Sequence, residues 1–345
     1  MYEIIRQLCA ALKQGRPAAV ATVVFQSGST PRGPGSKLLA NADGLLAGTV
    51  GGGISEAQTL LACRRALASG RSEVLKFALD GSLAAQSDMI CGGQLQILVE
   101  PFFPDSAPLA LLQELADCLR VSGGLLARPF PPGSASDLIL CHNGTVTGGQ
   151  PSPVLAEALP AHDHDGADGW RKQASLREIG GRLWFVEPCR QRSHMILAGG
   201  GHVAQATAAV AAVADFSVSV LDDRPEFVSP ERFPFAQETR HVPGFRDCFA
   251  PYVIGPETYL VIVTRGHLFD RDVLAQALRT SAGYIGMIGS VRKREALYAA
   301  LRSDGFGDVD FRRVHCPIGL SIGAETPAEI AVSIVAECIA HKRNN

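Results

Sequence analysis

The residue pattern that most clearly indicates ligand binding is the glycine turn Gly199-x-Gly201-x-x-Ala204, which stands between a predicted strand and a predicted helix. Such glycines permit a tight turn and close approach of a pyrophosphate, which the free N–H groups at the helix start attract. Asp222 ends the next predicted strand, roughly 20 residues further on, where an acid can hold a ribose hydroxyl. The pattern predicts a dinucleotide or nucleotide site. The alternative is a doubly wound domain that has the turn and binds nothing.

Three histidines in the same part of the chain are candidate general bases for hydride chemistry: His202, His267 and His315. His315 and Cys316 could also ligate a metal. A lone histidine is more often a hydrogen-bonded structural residue, and the sequence pairs none of the three with a substrate clamp. An NAD(P)-dependent oxidoreductase is therefore the second interpretation, in which Asp222 favours NAD over NADP.

The first half of the chain contains three glycine-rich segments. The first, 27–36, includes Arg32 and is followed by Lys37. Gly51-Gly52-Gly53 precedes a predicted helix and is a second candidate anion site. Cys91-Gly92-Gly93 offers a thiol that could bind a metal or sulfur. If the segments converge, they supply cations and backbone donors for a phosphate. The alternative is a set of tight hairpin turns, with Cys91 as a packed core thiol.

Strands and helices alternate in the second half of the chain, which predicts βαβ units and a parallel sheet of Rossmann type. The predicted strands are Met195–Ala198, Ser217–Leu221, Tyr259–Thr264 and Tyr284–Ile288. The last predicted helix opens on the capping box Thr326-Pro-Ala-Glu329. Its polar residues recur at every fourth position, which predicts a nearly buried helix with one solvent-facing edge: Glu329, Ser333, Glu337 and His341.

The first half is predicted to be an α+β domain. Helices are predicted over Tyr2–Gln14, Ser55–Ala68 and Leu109–Val121, and the β-rich runs between them include two hairpins. Pro151–Asp168, with its His162-Asp-His-Asp165 run, is predicted as an exposed loop, although that run could also ligate a metal. We place the two domains at residues 1–190 and 194–345, with no repeat at solenoid spacing.

Composition limits the function classes. The chain has 345 residues, a formal net charge of −2 and no long basic block, which argues against nucleic acid or an anionic membrane as a partner. No apolar run reaches the roughly 20 residues of a membrane span, and no signal peptide is visible, so we expect a soluble, cytoplasmic protein. None of the nine cysteines forms a C-x-x-C pair, which favours reduced, mostly buried thiols.

Several motifs in a fixed order resemble the XdhC/CoxF family of accessory factors, and the resemblance extends over nearly the whole chain except Pro101–Pro188. In the first half they are Ser27-Gly-Ser-Thr-Pro-Arg32, Gly48-Thr-Val-Gly-Gly-Gly53 with Glu56, and Cys91-Gly-Gly93. In the second half they are Gly199-Gly-Gly-His-Val-Ala-Gln205, Asp222-Asp-Arg-Pro-Glu-Phe227, Thr264-Arg-Gly-His267, Tyr284-Ile-Gly-Met-Ile-Gly-Ser290 and Pro317-Ile-Gly-Leu-Ser-Ile-Gly-Ala-Glu-Thr-Pro327.

The resemblance implies a non-catalytic chaperone that binds the molybdenum cofactor, protects it during its sulfuration and delivers it to xanthine dehydrogenase or a related hydroxylase. It implies a cysteine desulfurase as a second partner, and a homodimer. By motif, Cys91 becomes a candidate contact to molybdenum or its sulfur, with Gly92 beside it. Arg32 and Gly51–Gly53 become candidates for the pterin phosphate. Gly199, Gly201, His202 and Asp222 remain candidates for a nucleotide. A third interpretation is an adaptor that binds no small ligand.

Overall fold

A computed structural model describes residues 1–78, 93–106, 108–133, 137–164, 170 and 173–344. The chain divides into two compact units, Met1–Gln191 and Arg192–Asn345. Cys91 and Gly92, two of the candidate site residues, lie outside the described residues.

The first unit contains two five-stranded antiparallel sheets. The first sheet has the strand order β3-β2-β1-β5-β4 and the second β8-β7-β6-β10-β9. The first sheet and its accompanying helices are formed by α1 (Tyr2–Lys13), β1 (Ala18–Gly28), β2 (Lys37–Ala40), β3 (Leu45–Gly48), α2 (Gly53–Ser69), β4 (Glu73–Ala78) and β5 (Gly93–Phe102). Those of the second are α3 (Leu109–Val121), β6 (Gly124–Pro129), β7 (Ile139–His142), β8 (Thr145–Gly148), α4 (Pro153–His164), β9 (Ser175–Ile179) and β10 (Arg182–Cys189).

These two sets of seven elements follow the same order and build sheets of the same topology. The two sets also share a close contact between a glycine and a backbone carbonyl at equivalent places. A Cβ on Gly48 would lie 2.2 Å from the Lys37 carbonyl oxygen, and one on Gly148 would lie 2.5 Å from the Leu138 carbonyl oxygen. The tripeptide Val-Glu-Pro also recurs near the end of β5 and of β10. The first unit is therefore built from two copies of one arrangement.

The helices of the first unit pack in three of its apolar clusters. One joins α1 and α3 to residues of both sheets and includes Leu8, Leu39, Leu115 and Leu126. In a second cluster, α2 packs on the first sheet through Ala62, Cys63 and Ala66. In the third, α4 packs on the second sheet through Leu155 and Leu159. Each copy thus buries an amphipathic helix against its own sheet.

Four charged side chains are buried between the two sheets, and we call them the buried charge cluster: Lys37, Glu100, Arg128 and Glu187. Lys37 Nζ lies 2.7 Å from Glu187 Oε2, and Arg128 Nη2 lies 2.6 Å from Glu187 Oε1. Arg128 also pairs with Glu100. Burial acts to raise the pKa of Glu187, but Lys37 and Arg128 outweigh it and hold that pKa below its usual value.

The cluster corrects one expectation. The sequence places Lys37 beside Arg32 as a further cation for a phosphate, but Lys37 is 6% exposed and bound to Glu187 and to the Thr22 hydroxyl. Its charge is already neutralised inside the protein. Lys37 is therefore a structural residue.

The second unit is a six-stranded parallel sheet with the order β13-β12-β11-β14-β15-β16, which confirms the predicted Rossmann-type fold. Its strands are β11 (His194–Ala198), β12 (Ser217–Asp222), β13 (Glu238–His241), β14 (Thr258–Ile262), β15 (Tyr284–Met287) and β16 (Val314–His315). Its helices are α5 (His202–Val213), α6 (His267–Leu278), α7 (Val291–Arg302), α8 (Asp308–Phe311) and α9 (Pro327–Asn344). The strand order reverses between β11 and β14, where ligands of such folds bind.

Two predictions about local structure were wrong. Most of the loop predicted over Pro151–Asp168 is helix α4, because Leu155 and Leu159 lie one turn apart and fill the core. The polar stripe of α9 is not its solvent-facing edge. Ser333 is 5% exposed and donates to the Leu320 carbonyl, whereas Val332 is 50% exposed.

The eight described cysteines are buried and form no disulfide. Burial raises the pKa of Cys63, Cys248 and Cys338 to about 12, so these thiols stay protonated near neutral pH. Within the described ranges, no helix is long and apolar enough to cross a membrane.

We expect single changes in the buried charge cluster to destabilise the first unit strongly. Lys37→Met and Glu187→Gln should each lower its free energy of unfolding by about 3–5 kcal/mol, because each removes one charge from a buried cluster in which two cations balance two carboxylates. Both tryptophans of the chain, Trp170 and Trp184, lie in this unit, so denaturant unfolding followed by tryptophan fluorescence isolates it.

The control is Glu3→Gln, which breaks the exposed Glu3–Arg6 pair and should cost less than about 1 kcal/mol. The double variant Lys37→Met/Glu187→Gln should lose less than the sum of its single variants, since it removes one charge of each sign. Equal effects at Glu3 and Glu187 would show that the cluster does not hold the sheets together.

Candidate functional site

In the second unit, the glycine turn between β11 and α5 is shaped by close packing. A Cβ on Gly199 would lie 2.3 Å from the Val263 carbonyl oxygen, and one on Gly200 would lie 2.2 Å from the Phe227 carbonyl oxygen. Gly201 differs, since a Cβ there would meet nothing within 4 Å. The first two glycines therefore allow neighbouring backbone to approach, and Gly201 alone faces open space.

The carboxylate of Asp222 is already fully engaged. It is 1% exposed and accepts the N–H of Gly200 at 2.7 Å and that of Arg224 at 3.0 Å. The Arg224 guanidinium donates to both carboxylate oxygens, at 2.8 and 3.1 Å. Although burial acts to raise the pKa of Asp222, these donors lower it. In this structure the acid holds the glycine turn and Arg224, and neither oxygen is left for a ribose hydroxyl.

A second buried acid lies among the loops that follow β14 and β15. Asp270 accepts the Thr264 hydroxyl at 2.7 Å and pairs with Lys293, whose ammonium also donates to the Ile288 carbonyl. Asp270, Thr264 and Lys293 were not among the binding residues predicted from the sequence. They join the starts of α6 and α7 to the ends of two strands, so they brace the edge of the sheet where ligands of this fold bind.

The candidate histidines have different surroundings. His202 is exposed at the start of α5, and the side chain of His267 is outside the described set. His315 stacks on Tyr284, with ring centroids 4.5 Å apart, and its Nδ1 lies 3.3 Å from Glu337 Oε1. These contacts are those of a packed structural histidine.

Glu337 is held as an anion by its neighbours. Its Oε2 accepts the Tyr284 hydroxyl at 2.5 Å and the Gly319 N–H at 2.7 Å. Burial acts to raise the pKa of Glu337, but the bonds from His315, Tyr284 and Gly319 outweigh it and bring it to about 2. This carboxylate therefore ties α9 to β15.

In the first unit, the structure brings the glycine-rich segments together at one end of the first sheet. A Cβ on Gly51 would lie 2.9 Å from Pro31 Cβ and 3.9 Å from Arg32 Cγ. A Cβ on Gly93, where β5 starts, would lie 2.4 Å from the Ser27 carbonyl oxygen. Arg32 is exposed, and its guanidinium has no hydrogen-bond or ion-pair partner in the described part of the chain.

The backbone N–H groups of the Gly51–Gly53 segment are partly occupied. The Gly51 N–H donates to the Thr49 hydroxyl at 3.0 Å, and the Gly52 N–H donates to Glu56 Oε2 at 3.2 Å. The carboxylate of Glu56 also accepts the Thr49 hydroxyl. Gly53, the first residue of α2, keeps its N–H unpaired among the described residues, so this N–H and the Arg32 guanidinium are free donors at this place.

The role of Cys91 remains a prediction, since Cys91 and Gly92 lie outside the described residues. Among those that are described, no group of three or more His, Cys, Asp or Glu residues could hold a metal ion. The buried charge cluster was not predicted from the sequence, although the recurring Val-Glu-Pro was an available signal for it.

Each of the two units contains a match to a protein-family model. Residues 195–338 match the XdhC Rossmann domain, and residues 11–78 match the XdhC and CoxI family. The second match covers β1 to β4, including Arg32 and Gly51–Gly53.

Curated relatives align over nearly the whole chain. The uncharacterized protein YqeB of Escherichia coli K12 is 25% identical over 96% of the chain, but the chain spans only 45% of its length. A protein of Bacillus subtilis 168 named as a probable xanthine dehydrogenase subunit is 24% identical, with 96% of the chain and 95% of that protein covered. The molybdenum cofactor insertion chaperone PaoD of E. coli K12 is 23% identical, with 97% and 86% covered.

A crystal structure of a Bacillus halodurans protein described as a xanthine dehydrogenase has the same fold. It superposes with a TM-score of 0.78 at 22% identity and covers 99% of this chain and 96% of its own.

The three glycines of the turn should respond differently to alanine. Gly199→Ala and Gly200→Ala should each destabilise the second unit by about 2 kcal/mol or more, because the new Cβ meets backbone atoms. Gly201→Ala, with its φ of −67° and open surroundings, should cost less than about 1 kcal/mol. Hydrogen exchange of the β11 and β14 amides measures the difference. Equal losses at all three positions would contradict the packing roles.

Glu337 should make the second unit sensitive to acid. Its pKa is about 2 in the folded protein against an ordinary value of 4.5, so its stabilisation is complete above about pH 4.5 and is lost as the pH falls toward 2. Glu337→Gln should lower amide protection in β15 and α9 at pH 6 and flatten its dependence on pH between 4.5 and 2. Glu325→Gln, at an exposed site, should keep the wild-type slope. An unchanged slope in Glu337→Gln would assign the acid sensitivity to other groups.

Proposed function

This chain belongs to the XdhC and CoxI family, and from that membership we propose that it binds the molybdenum cofactor and delivers it to xanthine dehydrogenase or a related molybdenum hydroxylase. An accessory role is supported by the names of two relatives, a probable xanthine dehydrogenase subunit and a molybdenum cofactor insertion chaperone. The cofactor is the cargo of such a protein.

The proposal rests on one observation, which is that the glycine-rich segments lie together beside an unpaired cation. Arg32 is exposed beside Gly51, and Gly53 offers a free N–H at the start of α2. A phosphate group binds well to a guanidinium together with the first amides of a helix. We assign Arg32 and Gly53 to the pterin phosphate. Gly51 and Gly52 shape the turn, since their N–H groups are bonded within it.

Cys91 stands two residues before Gly93 in the sequence, and Gly93 packs on the 27–36 segment. A thiolate is a soft ligand for molybdenum or for its sulfur. We propose that Cys91, with Gly92 beside it, contacts the metal end of the cargo while Arg32 holds the phosphate. Protection of the cofactor during its sulfuration, a cysteine desulfurase as partner, a homodimer and a cytoplasmic location complete the proposal.

Hydride transfer by the second unit receives little support from its geometry. The acid expected to hold a ribose hydroxyl, Asp222, is 1% exposed and bound to Gly200 and Arg224. A nicotinamide cofactor would have to displace Arg224 before it could reach that carboxylate.

The test is an anaerobic equilibrium titration of the purified chain with the molybdenum cofactor, with NAD(H) as the comparison ligand. Arg32→Gln should weaken cofactor binding about tenfold or more, because it removes a charge-assisted hydrogen bond. Arg71→Gln is the matched control. Arg71 is also exposed, but it precedes β4 at the end of that strand remote from Gly93, so its loss should change nothing.

Cys91→Ala should lower both cofactor affinity and the activation of an apo-hydroxylase by the loaded protein. Undiminished binding and undiminished sulfuration of the target in this variant would remove Cys91 from the site. Binding of NAD(H) alone, lost in Asp222→Asn, would favour the oxidoreductase interpretation.

A further inference from the structure

A cavity of about 580 Å³ lies beside α5 in the second unit. Its walls are α5, the 231–235 segment and the start of α9, and they include His202, Ala206, Ala209, Phe233 and Phe235. The volume suits a small molecule. Neither Asp222 nor the glycines 199–201 belong to its described lining, so this cavity is separate from the expected dinucleotide site.

Arg232 lines the cavity and is held there from several sides. Its Nε donates to the Gly200 carbonyl at 3.0 Å, and its own carbonyl accepts the Gln205 side chain at 3.2 Å. The guanidinium carbon lies 4.9 Å from the ring centroid of Phe227 and 5.8 Å from that of Phe233. These contacts fix the position of the guanidinium without neutralising its charge.

The remaining donors of Arg232 are unused. Nη1 and Nη2 have no hydrogen-bond partner, and no carboxylate pairs with this half-buried cation in the described part of the chain. Glu231, the acid of the cavity wall, is exposed, and bonds with its own backbone and with Ser229 hold its pKa below the usual value. A half-buried cation without a counter-ion is costly, and an anionic ligand would remove that cost.

The other walls are apolar. Phe233 is buried, Ala206 and Ala209 are half-buried, and Phe235 is 63% exposed at the rim. Phe235 is a large aromatic side chain left open to solvent beside a cavity, which is common where a ligand or partner binds.

We propose that this cavity binds a small organic anion. Its apolar, ring-sized body lies between α5 and the Phe233–Phe235 side chains, and its carboxylate or phosphate group pairs with Arg232. A dinucleotide laid across the glycine turn is a poorer occupant, because Phe227 packs on Gly200 and Asp222 is already engaged. The site does not depend on cofactor binding by the first unit.

The test is isothermal titration of the purified chain with 1-naphthoate and, separately, with 1-naphthalenemethanol, a neutral molecule of similar shape. The carboxylate should bind saturably at one site per chain and about tenfold or more tighter than the alcohol. Naphthyl phosphate in a third arm shows which anionic group Arg232 prefers.

Two variants separate the charge from the cavity. Arg232→Gln should bring the affinity for naphthoate down to that for the alcohol and leave the alcohol unaffected. Ala209→Phe fills the cavity without changing Arg232 and should abolish both. Val213→Phe is the control, since Val213 lies on the same helix, is 92% exposed and is not part of the cavity wall.

Absence of saturable naphthoate binding at millimolar concentration would overturn the proposal. So would equal binding of acid and alcohol, or binding that survives either Arg232→Gln or Ala209→Phe. None of these results bears on the proposal that the first unit binds the molybdenum cofactor.

Discussion

The buried pairing of Lys37 and Arg128 with Glu100 and Glu187 is the constraint on which the first unit depends. The two glutamates come from the same Val-Glu-Pro tripeptide at the same place in each copy, so stacking the copies buries two like charges together. Two cations make that burial tolerable. Because Lys37 directly follows the 27–36 segment, the cluster also fixes where the segment carrying Arg32 ends. A Cβ on Gly35 would lie 4.0 Å from Glu187 Oε2.

Buried carboxylates also fix the shape of loops in the second unit. Asp222 is buried at the end of β12 and satisfied by a backbone N–H of the glycine turn and by Arg224, so it sets the shape of the turn. Asp270 does the same for the loops that follow β14 and β15. Unpaired buried carboxylates would be costly, which is why each finds several donors. In both units, acids that could serve ligands are used to position loops.

How much the sequence could predict depended on the range of the interactions. The glycine turn, the capping box of α9 and the hairpins are local patterns. The Rossmann-type sheet followed from the alternation of strands and helices in the second half of the chain. A residue whose partner lies far away in sequence has no such pattern beside it. Lys37 and Glu187 are 150 positions apart, and nothing near Lys37 distinguishes an internal ion pair from a phosphate contact. The α9 stripe was misjudged for the same reason, since Ser333 and Glu337, two of its four residues, bond inside the unit to groups 13 or more positions away.

Charge pairing therefore discriminates better between structural and ligand-binding cations than proximity to glycines does. Lys37, Arg224 and Lys293 all stand near glycine-rich loops, and each is bound to a buried carboxylate. Arg32 and Arg232 stand near such loops too, but neither has an acidic partner in the described part of the chain. Arg232 is half-buried, and a fold that needed it only for packing could have used a neutral side chain at less cost in desolvation. An anionic ligand would pair with each of these charges. Arg32 is exposed at the edge of the first sheet, and Arg232 is half-buried beside an apolar cavity in the second unit.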